Sequence, residues 1–130
     1  MTAEPSPDYV AKQLQQADEA LDDAEFLLRD GRLKAAANRA YYAMFHAVQA
    51  ALATVGLKRP KTHSGSIILF SHHWVRSGKI NRELGGNLQD ALDLRQQSDY
   101  DVYAVVGEQV VSETLDQARA FVAEVKRLIG

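Results

Sequence analysis

The groups best suited to chemistry in this chain gather in one nine-residue stretch, RQQSDYDVY, which runs from Arg95 to Tyr103. It joins one guanidinium to two carboxylates and two phenols, and it contains no histidine. A guanidinium stays charged and binds phosphate through a planar fork of N–H donors. A phenol with a pKa near 10 is a poor general base at neutral pH, whereas an imidazole near 6.5 is well matched. The stretch therefore suits anion binding better than proton transfer.

Arg95 also stands where an apolar residue is expected. The preceding residues on its helical stripe are Leu84, Leu88 and Ala91. The side chain of Arg95 should therefore face the core, where a guanidinium needs a carboxylate, a carbonyl or a ligand phosphate. One interpretation is structural: Arg95 pairs with Glu108, an acid that interrupts the apolar seam of the last helix. Asp99 or Asp101 then caps that helix.

The other interpretation of Arg95 is functional. In this case Arg95 lies in a cleft at the end of a helical bundle, beside Tyr100 and Tyr103, and binds a phosphate group. Basic groups on the second helix and in the loop LKRPKTHSG could share that role. The phosphate-binding candidates are Arg95, Arg39, Lys61 and His63.

The second helix carries a polar stripe that points away from its apolar seam. The stripe consists of Arg39, Tyr42, His46 and Gln49. It lines a site, meets another subunit or faces solvent, and the sequence leaves these alternatives open. Two other histidines, His72 and His73, are adjacent, so on a helix they diverge by about 100° and lack the spacing of a chelating pair. We expect no metal site and no cofactor.

Three segments repeat apolar residues at intervals of four, three and four, which is typical of one buried seam of a helix. The seams are Val10-Leu14-Ala17-Leu21-Ala24-Leu28, Ala37-Tyr41-Met44-Val48-Ala51-Val55 and Val111-Leu115-Ala118-Val122-Val125-Ile129. Each spans 19 residues, or about 28 Å at 1.5 Å per residue, so three helices of matched length suit an antiparallel bundle. The second helix is rich in alanine, which allows close neighbours on several sides and suits a central position.

The predicted helix boundaries agree with the seams. Ser6-Pro7-Asp8 would start the first helix, and Gly31 and Gly56 would end the first two. A shorter helix is expected around Ser66 to Val75, closed by Gly78. A fourth runs from about Asn81 to Gln97 and is weakened by Gly85-Gly86. The fold class is therefore all-α: a single domain, residues 1–130, forming an antiparallel up-and-down bundle of about five helices, three long and two shorter.

Composition places the chain among ordinary globular proteins. At 130 residues it is long enough for one core and too short for a catalytic domain plus a separate binding domain. It has no cysteine, which excludes disulfides and thiolate chemistry and fits a reducing compartment. No apolar run approaches the roughly 20 residues of a membrane span, and the N-terminus lacks the pattern of a signal peptide. We expect a cytoplasmic protein with no membrane partner.

The net charge of −2 hides a strong asymmetry along the chain. Between Gly31 and Arg82 there is no Asp or Glu, while nine of the fifteen Lys and Arg residues lie there. The flanks hold all seventeen acids and six basic residues, so the middle segment is +9 and the flanks sum to −11. Either oppositely charged segments neutralise each other within the bundle, or the middle segment forms a basic surface for a phosphate-bearing ligand or an acidic partner.

Three separated blocks make the chain resemble the HEPN domain family, the small helical domains of prokaryotic toxin–antitoxin and nucleotidyltransferase-associated pairs. The blocks are NRAYYAMFHAVQAAL (Asn38 to Leu52), KTHSG (Lys61 to Gly65) and ALDLRQQSDYD (Ala91 to Asp101). The resemblance implies a helical bundle that forms a homodimer with its site at the dimer cleft.

The resemblance also implies an expectation about activity. Active ribonucleases of the family carry an arginine followed after four to six residues by a histidine, and they cleave RNA without metal. Arg95 matches the arginine, but the positions for the histidine hold Tyr100, Asp101 and Val102. The proton carrier of that mechanism is therefore absent, unless His46 or His63 is brought to Arg95 by the fold or across a dimer.

Three functions remain open at this point. The first is a protein that binds nucleotide or RNA phosphate and works with a small nucleotidyltransferase partner, which in some such pairs transfers AMP to a tyrosine, here Tyr100 or Tyr103. The second is an active ribonuclease toxin with a non-standard base. Its catalytic candidates are Arg95, Tyr100, His46 and His63, with Asp101 a further substitute for the base. The third is a non-catalytic oligomerising or interaction module. The sequence does not separate toxin from antitoxin or say which nucleotide is bound.

Overall fold

The structure, a computed structural model, describes residues 7–57 and 60–130. Those residues form helices and connecting turns, with no strand among them. The helices are α1 (Pro7–Arg29), α2 (Leu33–Thr54), α3 (His63–Phe70), α4 (Arg82–Tyr100) and α5 (Glu108–Ile129), and a π-helical turn, Ser71–Val75, extends α3. The predicted all-α bundle of about five helices is confirmed. At 19 residues, α4 is closer in length to the long helices than the sequence indicates.

Helix α2 lies at the centre and packs against each of the other four α-helices. Alanine makes this possible, because a methyl side chain lets neighbouring backbones approach on several sides at once. Seven alanines of α2 are at most 1% exposed: Ala36, Ala37, Ala40, Ala43, Ala47, Ala50 and Ala51. Larger side chains fill the space between the helices, and Tyr41, Met44, Phe70 and Phe121 are completely buried. The central position predicted for α2 is thus what the structure has.

The helix ends follow local rules of backbone chemistry. Gly31, Gly56 and Gly78 have φ values of +74°, +70° and +81°, the left-handed conformation that favours glycine, and they follow α1, α2 and the π-helical turn. Thr62 accepts a hydrogen bond from the Gly65 N–H at 2.9 Å, so α3 begins three residues before the predicted Ser66. The predicted cap at Ser6 lies outside the described residues.

Two predictions about the ends of the bundle are wrong. Val55 was expected to close the apolar seam of α2, but it follows the last helical residue, Thr54, and is 42% exposed. Asp99 or Asp101 was expected to cap α5, but the N-cap is Gly107, which makes no side-chain hydrogen bond to the helix. The Asp101 carboxylate instead accepts from the Tyr103 N–H at 2.9 Å and turns the chain after α4.

Gly85 has a packing role near the start of α4. A Cβ atom at Gly85 would lie 2.9 and 3.0 Å from the two methyl groups of Val75 in the π-helical turn, whereas one at Gly86 would have no neighbour within 4 Å. The glycine expected only to weaken α4 therefore also allows α4 to approach the end of α3 closely. No helix in the described residues is long and apolar enough to span a membrane.

The two adjacent glycines allow a matched test of this packing. Gly86→Ala should raise the free energy of unfolding by about 0.5–1 kcal/mol, because alanine loses less backbone entropy in a helix. Gly85→Ala gains the same entropic stabilisation, but its Cβ must displace Val75, and overpacking of this kind costs about 1–3 kcal/mol. Urea unfolding of both variants measures the difference. Equal stabilisation by both substitutions would contradict the close packing at Gly85.

Candidate functional site

Arg95 lies on the inner side of α4, next to the N-terminal half of α2. Its side chain is 16% exposed, and its Nε atom is 3.0 Å from Oδ2 of Asp99, one turn later on the same helix. This Nε–H is buried and poorly directed at the carboxylate, so it makes no aligned hydrogen bond. The Nη2 atom donates to the Tyr42 hydroxyl at 3.3 Å. The predicted pair with Glu108 is wrong: Glu108 is exposed in the first turn of α5, where a carboxylate complements the positive helix end.

Three tyrosine rings surround the Arg95 guanidinium. Its central carbon lies 5.7 Å from the ring centre of Tyr41, 5.4 Å from that of Tyr42 and 5.9 Å from that of Tyr100. Each distance is within the range of a cation–π interaction, which strengthens when water is excluded. The rings differ in access, since Tyr41 is fully buried while Tyr100 is 73% exposed. The Arg95 guanidinium therefore lies between the buried ring of Tyr41 and the exposed ring of Tyr100.

A second arginine is tied to Arg95 through polar side chains. Arg39 donates two hydrogen bonds, from Nε and Nη2, to Oδ1 of Asn38, and the Asn38 amide donates to Oδ2 of Asp99 at 3.2 Å. The Arg39 guanidinium also lies 4.8 Å from the ring centre of Tyr42. The four polar residues and Tyr42 thus form one connected network, in which the Asp99 carboxylate contacts Arg95 directly and Arg39 through Asn38. We call Asn38, Arg39, Tyr42, Arg95 and Asp99 the arginine network.

His63 reaches the same place from the first turn of α3. Its Nδ1 atom is 2.7 Å from the Tyr41 hydroxyl, and its ring stacks on Phe45 with centroids 4.0 Å apart and planes 8° apart. Its ring also meets Tyr42 edge to face, with centroids 5.6 Å apart. His63 and Arg95 therefore contact the same two tyrosines, although 32 residues separate them in the sequence.

The chemistry of Tyr41 determines how His63 is held. Burial raises the pKa of the Tyr41 phenol well above its usual value near 10, and the Arg95 cation offsets only part of that rise. The phenol thus keeps its proton, and a buried O–H needs an acceptor. Nδ1 of His63 is that acceptor, which puts the ring proton of the neutral imidazole on Nε2. The phenol fixes both the orientation and the tautomer of His63.

The other candidates lie outside this centre. His46 is held by Gln13 of α1, whose Oε1 is 2.8 Å from Nδ1, and its ring centroid lies 6.5 Å from that of Tyr42. Lys61 is exposed two residues before His63. Tyr103 is 89% exposed beyond the end of α4. The structure brings Arg95, Arg39, His63 and Tyr100 together and leaves His46, Lys61 and Tyr103 at the margin.

The polar stripe of α2 is not a solvent-facing surface. Gln49, its last residue, is 3% exposed and donates to Oγ of Ser66 in α3 at 3.0 Å. Arg39, Tyr42 and His46 are partly buried, because α3 and α4 cover this side of α2. The stripe therefore lies between helices and is connected to Arg95 through Tyr42.

The charges of the basic middle segment stay largely unpaired. Of its nine Lys and Arg residues, Lys58 and Arg59 lie outside the described part, and among the other seven only Arg32 forms an ion pair, with Asp30. The interhelical ion pairs instead join the flanks to each other: Lys126 to Asp18 and Arg119 to Glu25. These contacts favour a basic surface over neutralisation within the bundle. Within residues 7–57 and 60–130, no three His, Cys, Asp or Glu side chains form a cluster that could hold a metal ion.

The sequence interpretation missed three residues of the site. Asp99 was assigned to a helix cap, although its position four residues after Arg95 is the spacing of an ion pair along a helix. Tyr41 was assigned to the apolar seam, and its seam position gave no sign that its hydroxyl would meet His63. Asn38 was noted only within a family block, and nothing in the sequence indicates that it bridges Arg39 to Asp99.

The chain belongs to the HEPN domain family, whose model matches residues 10–128. The resemblance found in the sequence is thereby confirmed. The chain is 38% identical over 113 residues to a UPF0332 protein of Thermotoga maritima, a match that covers 87% of this chain and 85% of the relative. It is 33% identical over 113 residues, 87% of this chain and 83% of the relative, to the Methanocaldococcus jannaschii protein named "Putative toxin MJ0605". A second protein of that organism, "Putative toxin MJ0142", is 27% identical over 91% of this chain and 80% of its own length.

The raised pKa of Tyr41 predicts how stability depends on pH. Folding favours the protonated phenol, so its stabilising contribution is complete below about pH 10 and is lost as the pH rises further, because the unfolded chain ionises first. The loss is at most about 1.4 kcal/mol per pH unit. Urea unfolding at about pH 8 and about pH 11 should show a smaller drop in stability for Tyr41→Phe than for the wild type. Tyr103→Phe, at an exposed phenol, should match the wild type, and identical drops for all three proteins would contradict the shift.

Proposed function

We propose that this HEPN protein has a toxin-type role and that it binds the phosphate of a nucleotide or of RNA at the arginine network. The observation that carries the proposal is the pair of guanidinium groups, Arg95 and Arg39, held beside one tyrosine with only Asp99 to balance them. A guanidinium fixed by its neighbours loses little entropy when it binds phosphate. The names of two relatives as toxins support the role.

The charges of the arginine network favour binding of an anion next to Arg95. Two arginines and one aspartate leave a net positive charge, and partial burial weakens solvent screening. Arg95 directs Nε at Asp99 and Nη2 at Tyr42, and Arg39 directs Nε and Nη2 at Asn38. The Nη1 groups of both guanidinium groups have no hydrogen-bond partner among the described residues, and we assign them to the ligand. The exposed ring of Tyr100, 5.9 Å from Arg95, offers a face on which a nucleobase could stack while its phosphate meets the arginine.

The proposal includes a homodimer and a nucleotidyltransferase partner. The connection after α4 supports a protein contact, because Val102, Tyr103 and Val105 are 83–93% exposed and form an apolar surface next to the site. The same exposure makes Tyr100 and Tyr103 accessible as acceptors of a nucleotidyl group. Arg95 lies close enough to Tyr100 to neutralise a phosphate attached there.

Phosphate binding is tested by replacing Arg95. Arg95→Ala should weaken binding of ATP or of a short single-stranded RNA about 10- to 100-fold. This loss corresponds to the about 1.5–3 kcal/mol that a hydrogen bond to a charged group contributes. The affinity of Arg95→Lys should lie between those of the wild type and Arg95→Ala, because lysine keeps the charge but lacks the planar fork of N–H donors. Fluorescence anisotropy measures the affinities. Arg119→Ala, which removes an arginine paired with Glu25, is the control. Equal binding by Arg95→Ala and the wild type would end the proposal.

Nucleotidyl transfer needs a separate experiment. The protein is incubated with ATP and a small nucleotidyltransferase from the same organism, and the intact mass is measured. We expect an increase equal to one AMP, on Tyr100 or Tyr103, that disappears in the double variant with both tyrosines changed to phenylalanine. An unmodified protein, or an adduct that survives both substitutions, contradicts this part of the proposal and leaves phosphate binding to be judged by the Arg95 variants.

Metal-independent RNA cleavage is a second candidate function, and the position of His63 is the reason to test it. The histidine expected after Arg95 is absent, but His63 and Arg95 contact the same tyrosines, Tyr41 and Tyr42. With its proton on Nε2, His63 can donate a hydrogen bond to a phosphate, and it can act as a general base only when the hydrogen bond from Tyr41 to Nδ1 opens.

Cleavage by this route predicts different effects of the two central histidines. His63→Gln should lower the rate of RNA cleavage by about 10²–10⁴-fold, the usual contribution of general acid–base catalysis. His46→Gln is the matched control, because His46 also bonds through Nδ1, but to Gln13 of α1 instead of Tyr41. Expression of the wild type should arrest growth, and Arg95→Ala should relieve the arrest. If the wild-type protein cleaves no RNA and is harmless in cells, the second function is wrong.

A further inference from the structure

A groove of about 480 Å³ lies on the outer side of α3 and its π-helical turn, and it shares no residue with the arginine network. The floor is apolar and includes Ile67, Ile68 and Leu69, with Pro60 at one end. The polar side of the groove includes His72, which lies in the π-helical turn, and Arg76, which follows that turn. The volume is in the range of binding sites rather than of packing defects.

The apolar floor of the groove is accessible to a partner. Ile68 is 70% exposed although it lies in the middle of α3, between the buried Ile67 and the partly buried Leu69. An isoleucine in this position adds nothing to the core, and its exposed surface would be buried favourably by a ligand. It forms a continuous apolar surface with the other floor residues of the groove.

The residues that line the groove include a cation and no acid. Arg76 is exposed and forms no ion pair with any acid in the described residues, and no Asp or Glu lines the groove. Lys79 and Arg82, which follow it, also have no carboxylate partner in the described part of the chain, and Lys79 only covers the ring of Trp74. On the α4 side the lining residue is Gln89, whose amide is already bonded to Asp93. The groove thus offers a cation without a carboxylate beside an apolar floor.

We propose that this groove docks a short acidic, amphipathic segment of another protein. An apolar side chain of the segment covers Ile68, and a carboxylate pairs with Arg76, which is the usual arrangement of a helix or strand laid in a groove. Single-stranded RNA fits less well, because none of the lining residues is a Phe, Tyr or Trp on which bases stack.

A second copy of this chain also fits less well than a different protein. In a two-fold symmetric contact centred on the groove, the Arg76 side chains of the two copies would lie close together and repel each other. An acidic partner satisfies the charge of the groove without bringing like charges together.

The test uses a designed helical peptide with leucines on one face and glutamates on the other, a version with lysines in place of the glutamates, and a scrambled glutamate version. Each is titrated to about 1 mM into the ¹⁵N-labelled protein and followed by amide chemical shifts. We expect the glutamate peptide alone to shift the amides of Ile68 and Arg76 and to lose affinity as salt is added. Ile68→Asp and Arg76→Glu should each weaken its binding at least about tenfold.

Phe26→Asp is the matched control, because Phe26 on α1 is 72% exposed and lies outside the groove. It should bind the glutamate peptide as the wild type does. The proposal is wrong if the lysine or scrambled peptide binds equally well, if no peptide shifts the groove amides, or if a short RNA shifts them instead. Sedimentation of wild type and Ile68→Asp covers the remaining case: a dimer lost in the variant would assign the groove to a second copy and overturn the proposal. None of these outcomes depends on phosphate binding at Arg95.

Discussion

A guanidinium that cannot lose its charge is held on the inner side of a helix, and the organisation of this site follows from that constraint. Arg95 has little access to water, so its charge must be balanced within the protein. Asp99 supplies the opposite charge, Tyr42 an acceptor, and three aromatic rings supply negative faces. Removing any one of them leaves a buried charge less well compensated. The same compensation leaves the guanidinium oriented for a phosphate, so that stability and proposed function draw on the same atoms.

The central helix makes this convergence possible. Because α2 is largely alanine on its packing faces, α3 and α4 approach it closely and cover its polar stripe. The two consecutive tyrosines of α2 therefore make different contacts. Tyr41 faces inward and bonds His63, while Tyr42 faces Arg95 and Arg39. The close contact between α4 and the π-helical turn at Gly85 fixes the two helices that carry Arg95 and His63 relative to each other. Arg39, Arg95 and His63 all contact this pair of tyrosines on α2.

Membership of the HEPN family narrows the candidate functions of this protein but does not decide among them. The positions at which the family's ribonucleases carry a histidine after the arginine hold Tyr100, Asp101 and Val102 here, and Tyr100 is exposed and close to Arg95. The protein nevertheless presents a histidine to the same tyrosines from a different helix. The proposed phosphate binding rests on the arginine network, whereas the candidate for proton transfer is His63, whose Nδ1 is hydrogen-bonded to Tyr41. The groove on α3 lies apart from both and provides room for a partner of opposite charge.

The sequence by itself determined the helices and their order, because apolar spacing, capping residues and left-handed glycines act within a few residues of the chain. It also placed Arg95 on the inner side of α4 and singled out Arg39, His63 and Tyr100. It did not give the partners of Arg95: Glu108 was chosen for its interruption of a seam, whereas Asp99 lies one helical turn away. The pairing of Tyr41 with His63 and the bridge from Arg39 to Asp99 were decided only by the tertiary structure. Those contacts join residues 22 and 61 positions apart through Tyr41 and Asn38, and the distances between such residues depend on how α2, α3 and α4 pack, which no local pattern encodes.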